Sequence, residues 1–358
     1  MNFGFAISDF GLWRKAVTKI IRSESLCVSN LKWVGIFAIA FTFAFNGAGA
    51  SAHQQGKIVR IGYLDSSTAS ASAVLVEAFQ QELSKLGWTE GKNLTIEYRF
   101  ADQKNDRLLA LAADLVRLKV DLILVSGGPA AVAAKKATTT VPVVMANVGD
   151  PVAEGLVPAL ARPGSNITGL SALSTELNTK RLEILKDVVP KLARVGFLWP
   201  AGTFIGQELQ VKELRAAAMA LKLKLEEIET QLDPTGLESA FTTAKQKQAG
   251  AIITTTTRLF FADRKRIVEF AGKYRLPAIY FQKQFVDEGG LMSYGADFDD
   301  LFRRAAVYVD KILRGAKPAD LPVQQATEFE FVINLKAAKQ IGLTIPVNVL
   351  ERANRVIR

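Results

Sequence analysis

The sequence predicts an α/β protein of two lobes, each a parallel sheet covered by helices, with a hinge between them. Three observations lead there. Short apolar runs alternate with helical spacings from residue 57 onward, the alternation restarts near Ala193, and the two units it makes are of similar size. Apolar runs of that kind are how strands buried on both faces read, and βαβ repetition makes such strands parallel.

Taken in order, residues 58–64 (IVRIGYL) are the first strand candidate. Over 71–86, Ala73, Leu75, Val76, Phe79, Leu83 and Leu86 recur at spacings that form one face of a helix, which Gly87 stops. Glu90-Gly91-Lys92-Asn93 turns the chain into strand 94–100. A helix at 105–118 and a strand at 121–126 follow; Gly127-Gly128-Pro129 then opens a further helix before strand 142–147. The second unit reads as strand 194–199, helix 206–221, strand 223–229, helix 235–247, strand 250–255, helix 261–275 and strand 277–281. The two units join near 171–178 and share no residue-level repeat. Residues 290–295 and helix 298–314 come after the second unit has run its course and are placed back in the first lobe. Strand 326–333 and helix 335–341 cross over again. The expected lobes are thus 57–174 with 294–323, and 175–293 with 324–358.

The first 52 residues read as an address. A basic stretch with Arg14, Lys15, Lys19, Arg22 and Lys32 precedes the uncharged apolar run 33–45, and Ala48-Gly49-Ala50-Ser51-Ala52 follows. A membrane-crossing helix needs about 20 apolar residues, more than this run offers. Basic region, apolar core and small residues together predict a cleavable signal peptide over 1–52, cut after Ala50 or Ala52, and hence a periplasmic protein.

Composition excludes more than it suggests. The formal charge of +10 comprises +3 in the leader (those five bases against Asp9 and Glu24) and +7 in the rest. No cluster of Arg and Lys with interleaved aromatics stands out, so nucleic acid is not an expected partner. The only cysteine, Cys27, and the only histidine, His53, lie in or beside the leader. Without them the chain has no thiol nucleophile, no Ser-His-Asp triad and no His-based zinc site. The neighbouring pairs Glu226-Glu227 and Asp299-Asp300 point to different sides of their elements and read as solvated surface. No GxGxxG follows the first strand. Binding without catalysis, and without a cofactor, is the expectation.

Several ordered segments carry a family resemblance. They include GWTEGKNLTIEYRFA (87–101), DLILVSGGPAAVAAKKAT (121–138) and VPVVMANVGDPVAEGLVPALARPGSNITGLS (141–171), and further on YGADFDDLFRRAAVYVDKILRGAKPADLPV (294–323) and FVINLKAAKQIGLTIP (331–346). Over roughly 58–357 the chain resembles the ABC transporter substrate-binding proteins related to tryptophan-binding members. That resemblance implies the type I periplasmic binding-protein fold, two Rossmann-like lobes around a cleft. It also implies a monomer that captures a small molecule, such as an amino acid or another aromatic or carboxylate compound, and hands it to a membrane permease. A sensor that presents its ligand to a membrane receptor would use the same cleft.

Open parallel sheets bind ligands beyond the carboxyl ends of their strands, which selects the candidate residues. Ser66 and Ser67 follow the first strand and either bind a ligand carboxylate or cap the next helix. Ser126, Gly127 and Gly128 sit where a strand meets a helix N-terminus, a place suited to an anion or to a plain tight turn. Asn147 and Asp150 end the fourth strand, Asp150 either receiving a ligand ammonium or capping the turn before Pro151. Ser171 faces the hinge. The second lobe offers Thr203, Thr255 and Gln282, and the return to the first lobe offers Tyr294 and Asp297. Phe204, Phe260 and Tyr280 are candidates for stacking on an aromatic ligand, or core residues.

Overall fold

The computed structural model describes residues 58–189, 191–202 and 205–358. The leader, with its signal-peptide reading, lies outside the described residues, as does Thr203. The chain begins with β1 (Val59–Asp65), α1 (Ala69–Lys85), β2 (Leu94–Phe100), α2 (Leu108–Arg117), β3 (Leu122–Ser126), α3 (Gly128–Ala137), β4 (Val143–Val148) and β5 (Ile167–Ser171). These strands are parallel to one another. The wholly apolar interior of β3 is buried along its whole length, as a strand covered on both faces must be.

The second unit opens with α4 (Ser174–Val188), where the sequence suggested only a junction. It continues through β6 (Arg194–Pro200), α5 (Ile205–Ala220), β7 (Lys224–Thr230), α6 (Pro234–Gln246), β8 (Ala251–Thr254), α7 (Arg258–Ala262), α8 (Arg264–Lys273), β9 (Ala278–Tyr280), α9 (Lys283–Asp287) and β10 (Met292–Ala296). The single helix expected over 261–275 is two, broken at Asp263, which ends α7 and precedes α8. The chain closes with α10 (Phe298–Leu313), β11 (Gln324–Gln325), β12 (Phe329–Asn334), α11 (Leu335–Ile341), α12 (Val347–Leu350) and β13 (Arg355–Ile357).

Two sheets result, ordered β11-β5-β4-β3-β1-β2 and β13-β12-β10-β9-β8-β6-β7. One placement differs from the sequence reading. Residues 290–295 were expected in the first lobe, yet β10 is parallel to β9 and antiparallel to β12 in the second sheet. β9 offers a free edge, and the strand that follows it satisfies that edge before the chain leaves. The crossing therefore falls at Asp297, ahead of α10, whose apolar face packs on α1, β4 and β5. Likewise Gln324 and Gln325, expected in the second lobe, pair with Leu170 and Ser171 of the first sheet. The last crossing comes after them.

The connections lie side by side. Ala326 donates its N–H to the Ser171 carbonyl at 2.8 Å, and Asp297 donates to the Glu328 carbonyl at 3.0 Å. Adjacent hydrogen-bonded connections of this kind are where two lobes can flex against each other. No helix among the described residues is long and apolar enough to cross a membrane.

Candidate functional site

The carboxyl ends of the two sheets face each other, and a buried ion pair crosses between them. Arg258, at the start of α7, reaches Asp65 at the end of β1 with Nη2–Oδ2 2.9 Å and Nε–Oδ1 3.3 Å. Their side chains are 4% and 0% exposed. Ser72 donates to Asp65 Oδ2 at 2.7 Å, Tyr63 donates to the same atom at 2.9 Å, and the Ser67 N–H donates to Oδ1 at 2.9 Å. The guanidinium also lies 4.6 Å over the Phe261 ring. Burial pushes the Asp65 carboxyl up, but the Arg258 charge and the hydrogen bonds outweigh it and hold the group below its ordinary value. A second bridge runs from Gln103 of the first lobe, whose amide donates to the Leu259 carbonyl at 3.3 Å and to the Asp263 carboxylate.

Beside this latch the cleft holds two connected spaces. The outer one is a cavity of about 560 Å³, walled by Leu108, Leu109 and Val132 from the first lobe and Leu232 and Leu259 from the second. Gln103, Asn105, Gln231 and Lys136 add polar groups to its wall. The inner one is a chamber of about 40 Å³ lined by Asn147, Ser174, Gln210, Thr256, Phe281 and Phe298 among others. Gly128, Pro129, Glu154 and Gly206 line both.

Glu154 is the ionisable member of that shared wall. It is 7% exposed and enters no ion pair among the described residues; its carboxylate accepts from the Asp150 N–H at 3.2 Å. Burial, reinforced by the nearby Asp150 charge, pushes its carboxyl up to about 7 despite the backbone N–H donors of Asp150 and Gly149. Three glycines make room for it. A Cβ on Gly128 would stand 1.9 Å from Oε2, while one on Gly206 or Gly149 would meet Oε1 at 3.0 or 3.1 Å. Gly128 and Gly206 lie in the first turns of α3 and α5, so the positive ends of two helices, one from each lobe, approach this carboxylate.

Below the inner chamber lies Arg181 of α4, 1% exposed. It donates to the carbonyls of Tyr294 and Ser174, to Thr256 Oγ1 at 2.9 Å and to the Asn178 side chain. No carboxylate pairs with it among the described residues. Burial pulls its guanidinium down to about 9, so it stays cationic at neutral pH. Asn147 Oδ1 accepts from Ser126 Oγ at 3.2 Å and from the Gly127 N–H at 2.9 Å, while its buried Nδ2 has no hydrogen-bond partner among the described residues. A buried donor left over costs about 1–3 kcal/mol and is a place for a ligand or water to bind.

The expected residues divide accordingly. Gly127, Gly128 and Asn147 line the cleft spaces. Ser126 braces Asn147, and Ser67 joins the latch, its Oγ 3.3 Å from Arg258 Nη2. Ser66 is buried and lines neither space. Asp150 caps its turn by accepting from the N–H groups of Val152 and Ala153 at 3.1 and 3.0 Å. Ser171 donates to the Gly149 carbonyl at 2.9 Å, and Asp297 caps α10 through the Asp299 and Asp300 N–H groups. Thr255 is buried away from the chamber, whereas its neighbours Thr256 and Thr257 line it. Gln282 lines a separate recess of about 10 Å³ with Lys283 and Asp297. Tyr294 packs edge-on against Phe331. Phe260 and Tyr280 are core rings, Tyr280 stacked on Phe285 at 4.7 Å; Phe281 and Phe298 are the rings at the chamber.

Sequence reasoning missed Asp65, Glu154, Arg181 and Arg258. Asp65 and Arg258 stand next to strand ends already singled out, so position offered a signal for both. Glu154 shows only as a lone acid in an apolar stretch, and Arg181 reads as one charge among many on a helix.

A sequence profile of the ABC transporter substrate binding protein family matches residues 68–357. The chain belongs to that family. Among relatives of this substrate-binding protein is a tyrosine-binding protein of Clostridioides difficile strain R20291, 27% identical over 268 residues, covering 75% of this chain and 76% of the relative. Among solved structures, an ABC domain in complex with L-Trp from Streptococcus pneumonia is 27% identical with a TM-score of 0.76, covering 84% of this chain and 99% of the other. A ligand-free, open substrate-binding protein with adhesive properties from Clostridium difficile is 26% identical over the same shares, with a TM-score of 0.60. The family is one of solute-binding proteins, not of enzymes.

Proposed function

We propose that this substrate-binding protein is exported, captures an amino acid with a large apolar side chain between its lobes, and delivers it to the permease of an ABC importer. The observation that carries the reading is the division of the cleft. A cavity of about 560 Å³ with Leu108, Leu109, Val132, Leu232 and Leu259 in its wall adjoins a small chamber that carries an unpartnered amide donor at Asn147 beside the rings of Phe281 and Phe298. A zwitterionic head and an apolar body match that division, and the cavity has the size of small-molecule sites in general. The tyrosine- and tryptophan-binding relatives support the ligand class, and the leader pattern of residues 1–52 supports export to the periplasm.

The conformation is the closed one in this reading. At nearly equal identity the chain is more similar to the L-Trp complex than to the ligand-free open structure. The buried Asp65–Arg258 pair spans the lobes as a closed cleft requires. A ligand that touches both walls favours this state by its differential affinity, and the permease then reads the state.

The test is a thermal-shift and calorimetric panel of amino acids, aromatic acids, nucleosides and sugars on protein unfolded and refolded to strip retained ligand. A ligand at about 100 times its Kd adds roughly 2.7 kcal/mol of stability. Stabilisation by amino acids with apolar side chains is the expected result. A response confined to sugars or nucleosides overturns the ligand class, and scattering profiles that coincide for free and saturated protein overturn the closure.

A further inference from the structure

Glu154 has no task in the fold that needs its charge. It stands after the turn capped by Asp150, and a neutral amide at the same position could accept the Asp150 N–H as well. Yet three glycines on three segments keep room for its carboxylate, and it alone among the ionisable groups borders both cleft spaces among the described residues. A carboxylate in so buried a position ordinarily has a cation beside it.

The cations nearby do not serve. Arg258 of α7 lines the inner chamber and is paired with Asp65 through Nε and Nη2; its Nη1 makes no hydrogen bond to Glu154 or to any other described residue. Arg181 of α4 is turned to Tyr294, Ser174, Asn178 and Thr256. Lys136 of α3 is an exposed residue on the wall of the outer cavity. On its own turn Glu154 meets Asp150, a like charge, and α5 presents the uncharged Gly206 and Gln210 to the same space. The two helix ends offset part of the cost of burying the anion without supplying a counter-charge.

We infer that Glu154 is the cation receptor of the cleft, taking the ammonium of the bound amino acid. The ligand carboxylate then lies in the inner chamber against Asn147 Nδ2, and its side chain extends into the outer cavity. This rests on the amino-acid reading above and orients that ligand. It also transfers to Glu154 the role that the sequence offered for Asp150, which is engaged in its turn. In the closed cleft with no cation beside it, burial disfavours the charge and pushes the Glu154 carboxyl up to about 7. An arriving ammonium favours the charged form, so binding expels a proton to the buffer.

Calorimetry on the wild type and on Glu154→Gln tests this, in buffers of differing ionisation heat at pH 6.5 and 8. The probes are L-tyrosine, L-tryptophan and L-leucine, with tyramine, tryptamine and the matching acids that lack the amine. The wild type is expected to release about half a proton or more per amino acid at pH 6.5 and little at pH 8. Glu154→Gln is expected to release none and to bind the amino acids at least tenfold more weakly at pH 8, while its affinity for the amine-free acids does not fall. Glu154→Asp, which keeps the charge, recovers part of the proton release. A thermal transition of ligand-free Glu154→Gln at or above that of the wild type at pH 8 shows that the fold is kept. Amino-acid binding with no proton release, or with equal affinity in the Gln variant, overturns the role of Glu154 and leaves the amino-acid reading standing. Amines that bind through Glu154 where amino acids do not overturn the amino-acid reading alone. Failure of every amino acid and amine overturns both.

Discussion

Two carboxylates lie buried in the same cleft and have opposite circumstances. Asp65 receives a bidentate guanidinium and three further hydrogen bonds, and its carboxyl is held below the ordinary value. Glu154 receives backbone N–H groups and no cation among the described residues, and its carboxyl is pushed up to about 7. Burial acts on both in the same direction, so the partner decides the sign. What this teaches is a division of labour. The compensated carboxylate ties the lobes together in the closed arrangement, whereas the uncompensated one has binding capacity left over.

Breaking the compensated side should have the largest effect. Asp65→Ala strands the Arg258 guanidinium in the interior and is expected to cost about 3–5 kcal/mol in urea unfolding. Replacing both partners by apolar residues of similar size should return most of that loss, because the stranded charge, not the missing attraction, dominates. A single-variant loss under 1 kcal/mol would mean that the pair is open in solution.

The pH dependence separates the two carboxylates by sign. Glu154 has a folded pKa above its ordinary 4.5, so the native state binds more protons between 4.5 and about 7. Ligand-free stability should fall as pH rises through that window, by about 3 kcal/mol in all, and Glu154→Gln should remove the slope. Asp65 is depressed instead. Its contribution is present above the ordinary aspartate value and is lost as pH falls through the lower folded one. Differential melting of the wild type, Glu154→Gln and Asp65→Asn across pH 3 to 8 checks both signs, and parallel curves would show that the two sites do not differ.

A smaller effect is expected at Gly128. A methyl there collides with the Glu154 carboxylate and forces that side chain to move, so Gly128→Ala should weaken ligand about ten- to a hundredfold while the fold persists. Affinity equal to the wild type would show that the position of the carboxylate is unimportant. Arg215→Ala gives the smallest effect. Its bidentate pair with Glu227 is formed at the surface, where such pairs are worth under about 1 kcal/mol, and ligand binding should not change.

Much of the scaffold was legible because periodicity is a local property. β2 and α11 begin and end where the apolar pattern does, and α10 shows its buried stripe in the sequence. β10 was not legible in the same way. Its residues identify a strand but do not say which free edge it completes, and that depends on where β9 and β12 come to lie. The site divides along the same line. Gly127, Gly128 and Asn147 line the cleft spaces because strand ends in an α/β sheet converge there. Arg181 was missed because a helical arginine looks the same whether it meets water or, as here, is buried against four protein acceptors.

The sequence by itself determined the two-lobed α/β architecture, the strand ends that line the cleft, and a composition with one cysteine, Cys27, and one histidine, His53. Each follows from pattern or composition along the chain. Only the tertiary structure decided that Asp65 would meet Arg258 while Glu154 would meet no cation among the described residues. Burial and charge pairing depend on which residues the fold brings within a few ångströms, and Asp65 and Arg258 stand far apart in the chain, in different lobes.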